Sequence, residues 1–155
     1  MIRILFLCHG NICRSPMAEF YLRDQIRKAG LQDRFYTESR AVSAEEIGNP
    51  VHPGTQKILS SLGVSCAGKF ARQVTRRDCD EFDYLILMDQ KNLRLLRPFL
   101  GRNEKKVSLL LSWCGENKDV ADPWYTGDFD QTFRDVSRGC DALLKKLSPD
   151  AQKRS

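Results

Sequence analysis

At 155 residues the chain is long enough to bury a real hydrophobic core as one domain, without covalent staples. Its apolar and charged fractions are those of an ordinary globular protein, and its basic residues, read along the chain, are scattered with no aromatic-basic array. A net charge of +5 therefore reads as a mild field that draws anions inward rather than as a nucleic-acid footprint.

The first apolar run, Ile2 to Leu7, is broken only by Arg3 and reads as a buried strand. It is too short for a membrane span or a secretory segment, so the expectation is a cytoplasmic protein that engages no membrane. Cys8-His9-Gly10-Asn11-Ile12-Cys13-Arg14-Ser15-Pro16 follows as a tight strand-to-helix loop. Ser15 is a candidate N-cap, with Pro16 in the first turn. Ala18, Leu22, Gln25, Ile26 and Ala29 share one helical face, and Gly30 stands where a helix would end. A strand over Phe35 to Val42, a loop over Ser43 to Pro53 and a helix over Thr55 to Leu62 come next. Thr75 is placed to cap a short helix to about Glu81. Asp83 to Asp89 is a second buried strand. Asp89 is placed to cap a helix through Leu96 that stops before Pro98. Lys106 to Leu111 reads as a strand, Ser112 to Gly127 as a loop. Phe129, Phe133, Val136, Cys140, Leu144 and Leu147 form the stripe of the longest helix.

Strands alternating with helices predict right-handed βαβ units. The expected fold is α/β: one domain over residues 1–147 with a four-stranded parallel doubly wound sheet, helices on both faces, and a frayed polar tail over 148–155. In such sheets ligands sit beyond the carboxyl ends of the strands, where the Cys8 loop lies.

That loop suits a phosphate. Gly10 and Asn11 tolerate left-handed backbone, which turns successive N–H groups toward one point. The next helix adds its positive end, and Arg14 presents a fork that matches two phosphate oxygens. The same field favours a thiolate at Cys8, a strong nucleophile. The alternatives are a structural turn or half of a metal site, but Cys8 and Cys13 with no second pair make a poor zinc signature. Six irregularly spaced cysteines read as reduced thiols, with Cys66, Cys79, Cys114 and Cys140 as filler or surface groups.

Residues Cys8 to Pro16 resemble the signature loop of the low-molecular-weight protein tyrosine phosphatases, and the resemblance continues to about Leu147. It implies the same sheet architecture, a Cys8 nucleophile, an Arg14 phosphate ligand, and neither metal nor cofactor. On its own, Asp122-Pro123-Trp124-Tyr125 reads as an ordinary Asp-Pro turn. The resemblance makes Asp122 the general acid, and Trp124 and Tyr125 are placed to wall an aromatic substrate. It assigns to Ser15 a hydrogen bond to the thiolate and to Asn11 a braced, strained conformation. Gly10, Ile12 and Cys13 complete the phosphate loop, with His9 at its rim. His52 reads as a loop residue, and Asp119, Asp128 and Asp130 as solvent-facing or capping carboxylates.

Three positions depart from better-known members: Glu45 where some place an aromatic, Arg40 in place of a small residue, and Lys69 where many have a histidine supporting the loop asparagine. Cys13 is either a small apolar packing residue or, as the resemblance implies, the redox partner that traps oxidised Cys8 as a disulfide. Exposed Tyr125 is a candidate phosphorylation site. Implied partners are phosphotyrosine-containing proteins and a cognate tyrosine kinase. Arsenate reductases on this fold need closely spaced downstream cysteines, and Cys79 has none. Arginine phosphatases resemble the loop with Thr in place of Ile12. A non-catalytic phosphotyrosine-binding module would not need Cys8, Arg14 and Asp122 together.

Overall fold

A computed structural model describes residues 1–153, with side chains through Pro149. β1 (Ile2–Cys8) lies inside a parallel sheet, between β2 (Phe35–Ala41) and β3 (Tyr84–Leu87), with β4 (Val107–Leu109) beyond β3. The order is β2-β1-β3-β4. Register runs from Ile2 opposite Phe35 to Cys8 opposite Ala41, and from Ile4 opposite Tyr84 to Leu7 opposite Leu87. β1 is apolar apart from Arg3 because each of its faces is covered. Ile2, Ile4, Phe6 and Cys8 enter one core with α1 (Arg14–Lys28) and α6 (Phe129–Lys153). Leu5 and Leu7 enter the other, with α3 (Arg76–Glu81) and α4 (Lys91–Leu100). This is the two-residue alternation of a strand applied to two apolar layers. Phe6 is fully buried, so its truncation to alanine would cost about 3–5 kcal/mol.

Several boundaries differ from the sequence expectation, for identifiable reasons. α1 starts at Arg14 with Cys13 at the N-cap position and no side-chain cap; Ser15 lies inside the first turn, where its hydroxyl faces the loop. The buried face of α1 is Met17, Ala18, Tyr21, Leu22 and Ile26, whereas Ala29 is exposed. α2 (Pro53–Ser61) starts earlier than expected because His52 caps it, its Nδ1 accepting the Gly54 N–H at 3.0 Å. Thr75 caps α3 in a reciprocal capping box with Asp78.

α4 passes through Pro98 instead of stopping before it. Pro98 is exposed, and burial of Leu96 and Leu100 on the opposite side outweighs a lost hydrogen bond and ring clash of about 3 kcal/mol. The N-cap position falls on Gln90. Asp89 acts one residue earlier, its Oδ1 accepting the Asn92 N–H while Asn92 Oδ1 accepts the Asp89 N–H, both at 3.0 Å. β4 is shorter than expected because Leu110 and Leu111 leave the sheet in a 3-10 turn to bury themselves against α6. α6 does not fray at Ser148: it continues through Pro149 to Lys153. Residues 154–155 of the expected tail lie outside the described residues. Among the described residues no helix is long and apolar enough to cross a membrane.

Candidate active site

The Cys8–Ser15 segment leaves the carboxyl end of β1 and folds back into α1. Asn11 turns it, with φ 61°, a left-handed conformation that asparagine tolerates better than most residues. Its amide is buried and fully used. Nδ2 donates to Ser15 Oγ at 2.8 Å and to Ser39 Oγ at 2.9 Å, and Oδ1 accepts the Arg72 N–H at 3.2 Å.

Proton directions follow from this arrangement. Ser39 receives from Asn11 and donates to Glu19 Oε1 at 2.5 Å. Ser15 also receives from Asn11, so its own proton is free to point at Cys8 Sγ, 3.0 Å away. The Ser15 backbone N–H donates to the same sulfur at 3.4 Å. A chain of hydrogen bonds therefore links the Glu19 carboxylate to Cys8, with Asn11 at its centre donating both ways and the Ser15 hydroxyl and N–H reaching the sulfur. Lys69 enters at the far end, 2.9 Å from Glu19 Oε1, and donates to the Ser39 carbonyl at 3.0 Å. It braces Asn11 through Glu19 and Ser39 rather than directly. Arg23 holds the other oxygen of Glu19 at 2.7 Å. Arg40 is engaged elsewhere, with Glu38, Asp78 and the Ser39 carbonyl.

Arg14 is buried with its guanidinium held by Asp89 Oδ2 at 2.6 Å, the Val120 carbonyl at 2.9 Å and Asp122 Oδ2 at 3.5 Å. Burial opposes its charge, but Cys8, Asp89 and Asp122 around it push its pKa above the ordinary arginine value. Asp122 caps α5 (Pro123–Thr126), its Oδ1 accepting the Trp124 N–H at 3.0 Å, which leaves Oδ2 facing Arg14.

These groups open onto a cavity of about 160 Å³ whose floor is Cys8, Gly10, Ile12, Cys13 and Arg14. Asp122, Trp124 and Tyr125 form one wall, and His9, Glu45 and Glu46 the opposite rim. Glu45 meets His9 at 2.9 Å. Asn11 and Ser15 stand behind the floor as supports. Trp124 and Tyr125 are 59% and 84% exposed, so they flank the mouth without closing it. Burial, then the nearby Cys8 and Asp122 charges, push the Cys13 thiol up to about 12.

The remaining expected residues separate from the site. Cys79 and Cys140 are core groups, and Cys66 and Cys114 are half-buried. Asp119 accepts the Gln90 N–H and Asp128 the Gln131 N–H, while Asp130 is exposed. Among the described residues no group of three His, Cys, Asp or Glu side chains is placed to hold a metal ion.

Three contributors were not singled out from sequence. Asp89 orders Arg14. Its signal was available, as a carboxylate ending a buried strand at the ligand end of the sheet. Glu19 has no sequence signal, since it looks like any helix glutamate. His52 is more than a loop residue: its N–H donates to the Ile12 carbonyl at 2.8 Å, and its ring stacks on Phe129 and meets the edge of Trp124 at 5.8 Å. Gly54 makes that stack possible, since a Cβ there would lie 2.6 Å from the Phe129 ring.

Comparison with known proteins agrees with this geometry. A family model described as low molecular weight phosphotyrosine protein phosphatase matches residues 3–153. The chain is 43% identical over 155 residues to the low molecular weight protein-tyrosine-phosphatase YfkJ of Bacillus subtilis, covering 98% of this chain and 99% of that protein. It is 37% identical over 152 residues to PtpA of Staphylococcus epidermidis, with 97% of each covered. The crystal structure of YfkJ superimposes with a TM-score of 0.92 at 42% identity, covering 97% of this chain and 96% of that one. The low molecular weight protein tyrosine phosphatase of Streptococcus pyogenes gives 0.85 at 39% identity, covering 95% and 93%. The chain therefore belongs to the low molecular weight phosphotyrosine protein phosphatases, a family of enzymes.

Proposed function

We propose that this protein hydrolyses phosphotyrosine, and small aryl phosphates, through a cysteinyl-phosphate carried on Cys8. One observation carries the reading: Cys8, Arg14 and Asp122, from three separate segments, line one cavity of about 160 Å³.

A phosphate seated over the loop meets the N-terminal end of α1 and the Arg14 fork, while Asp89 and the Val120 carbonyl fix the fork's plane. The Cys8 thiolate attacks phosphorus. The P–O bond to the ring breaks, and Asp122 gives its proton to the departing phenolic oxygen. Asp122, now a carboxylate, then takes a proton from a water that attacks the phosphocysteine. Inorganic phosphate leaves and the thiolate is restored. Ile12 in the floor and Trp124 at the wall offer apolar surface to a flat ring, and a serine phosphate has no ring to reach the floor through them.

The substrates are phosphotyrosine-containing proteins in the cytoplasm, with a tyrosine kinase as the opposing activity. Cys13 is the redox partner: peroxide converts the Cys8 thiolate to a sulfenic acid, and the Cys13 thiol displaces water to form the disulfide. The Cys8 charge helps to raise the Cys13 pKa, and that part is relieved once Cys8 is a neutral sulfenic acid.

The test is turnover of phosphotyrosine, phosphoserine, phosphoarginine and arsenate side by side, with Cys8→Ser as control. Phosphotyrosine is expected to be preferred, and Cys8→Ser to be inactive on all four. Preference for phosphoarginine or arsenate would overturn the reading. Non-reducing mass spectrometry after peroxide tests Cys13, whose role fails if Cys8 is sulfinic or sulfonic with no Cys8–Cys13 peptide.

A further inference from the structure

The positive charge of this chain is concentrated, not scattered. Residues 91–106 contain Lys91, Arg94, Arg97, Arg102, Lys105 and Lys106 against the single acid Glu104. That segment alone therefore carries the whole of the net charge of +5, and the rest of the chain is balanced.

The fold turns much of this charge outward. α4 buries Asn92, Leu96 and Leu100. Lys91, Arg94 and Arg97 follow one another at three-residue steps and are all exposed on its other side. At 100° per residue they span an arc of about 120°. Arg102 and Lys105 continue the exposed surface beyond the helix. Among the described residues none of these five makes an ion pair or a side-chain hydrogen bond. Neighbouring α3 differs: Arg76 pairs with Asp80, and Arg77 with Glu81.

Position gives this face its meaning. α4 starts two residues after Asp89, which holds Arg14, and Gln90 is bonded to Asp119 ahead of the acid loop. The rim carboxylates Glu45 and Glu46 follow β2, on one side of β1, whereas α4 follows β3 on the other. The mouth is thus flanked by negative charge on the β2 side, and by unpaired positive charge running down the β3 side.

We infer that the α4 face is a docking surface for an acidic stretch of the phosphotyrosine protein, seated alongside the residue being dephosphorylated. The inference rests on the phosphatase reading above. Exposed Pro98 lies within that arc and exposed Leu95 at its edge, and both give a polypeptide apolar contact. No aromatic side chain on the exposed side offers a base a stacking surface, and one exposed leucine is a poor membrane anchor. α4 is ten residues, about 15 Å long, so about five extended residues cover it.

The experiment compares peptides bearing one phosphotyrosine and, after a neutral spacer, a block of glutamates, serines or lysines. In the parent enzyme the glutamate block is expected to raise kcat/KM about tenfold over serine, mainly through KM, as three exposed ion pairs would. The gain should fade by about 0.3 M salt, where the Debye length has fallen well below 10 Å. A Lys91→Gln, Arg94→Gln, Arg97→Gln triple variant should lose the gain and keep parental turnover of p-nitrophenyl phosphate. An equal glutamate-to-serine ratio in parent and variant would overturn the inference. So would salt-sensitive retention of the parent, but not the variant, on phosphatidylserine vesicles or duplex DNA without any peptide effect. Absence of p-nitrophenyl phosphate turnover in the parent would instead strike the catalytic reading. In that case binding of the same peptides, measured by fluorescence anisotropy, still decides the docking surface.

Discussion

Asn11 is the position where backbone, loop and nucleophile meet, and its removal has a calculable effect. Asn11→Ala deletes two donated bonds and one accepted bond, all at 1% exposure. At about 1 kcal/mol net each, the three amount to about 3 kcal/mol. Alanine at φ 61° adds about 1 kcal/mol of left-handed strain. Asn11→Gly escapes that strain but brings about 0.5–1 kcal/mol of extra freedom to the unfolded chain. The two variants should therefore fall together by about 3–4 kcal/mol, with the amide as the common cause. Urea unfolding at neutral pH measures the loss as a shift in midpoint at constant slope. The same variants should turn over aryl phosphates more slowly, because the Ser15 hydroxyl loses the donor that directs it at Cys8. A loss below about 1 kcal/mol in both would refute the hydrogen-bond relay as drawn.

Asp122→Asn keeps an acceptor for the Trp124 N–H but has no proton to give; phenyl phosphate hydrolysis should fall by about 10²–10⁴-fold and that of p-nitrophenyl phosphate much less. Equal losses, seen in steady-state kinetics, would point to a structural role. Asp89→Ala breaks the 2.6 Å contact to Arg14 and leaves a buried cation short of its partner, a loss of about 3 kcal/mol in urea midpoints; Asp89→Asn should lose less, and equal losses would remove the charge from the argument. Alkaline stability follows from thiols held neutral by burial, Cys13 with a pKa of about 12 and Cys79 about 11, against 9.0 for both when unfolded. Between those values the folded state keeps protons that the unfolded chain releases. The urea midpoint should therefore be insensitive to these thiols below pH 9.0 and fall from there toward about 11–12. A midpoint unchanged across that range would show that they do not stay protonated.

The sheet was legible because its strands obey a local rule, as β1 and β3 are nearly continuous apolar runs bounded by polar or turn residues. The loop was legible because nucleophile, turn residues and guanidinium lie within eight consecutive positions. What escaped was set by tertiary competition. Pro98 reads as a stop, yet burial of Leu96 and Leu100 carries α4 past it. Leu110 and Leu111 look like the end of a strand, but the core beside α6 takes them out of the sheet. Ser15 looks like a cap until the fold brings Asn11 and Cys8 to its hydroxyl. Glu19, Ser39 and Lys69 are distant in sequence and ordinary in type, so no spacing announces their network. Even the basic surface of α4 is hidden by its own regularity, since cations at three-residue steps pass for a solvated helix until their lack of carboxylate partners is seen.

Arg14 is bonded to partners 75, 106 and 108 residues away, so a single side chain ties the first βα unit to the segments after β3 and before α6. An anion bound by that side chain is linked to the fold itself. On the proposed function phosphate binds where these segments have already met, and inorganic phosphate or vanadate at a hundred times its dissociation constant should then raise the unfolding free energy by about 2.7 kcal/mol. The same linkage runs in reverse. A fluctuation that lifts the Val120–Asp122 segment takes away two of the guanidinium's three partners and draws Val120 out of the core beside α6, while the core under α3 and α4 stays packed. Affinity for phosphate therefore reports the integrity of contacts spanning most of the chain, and it should fail before the bulk of the structure does.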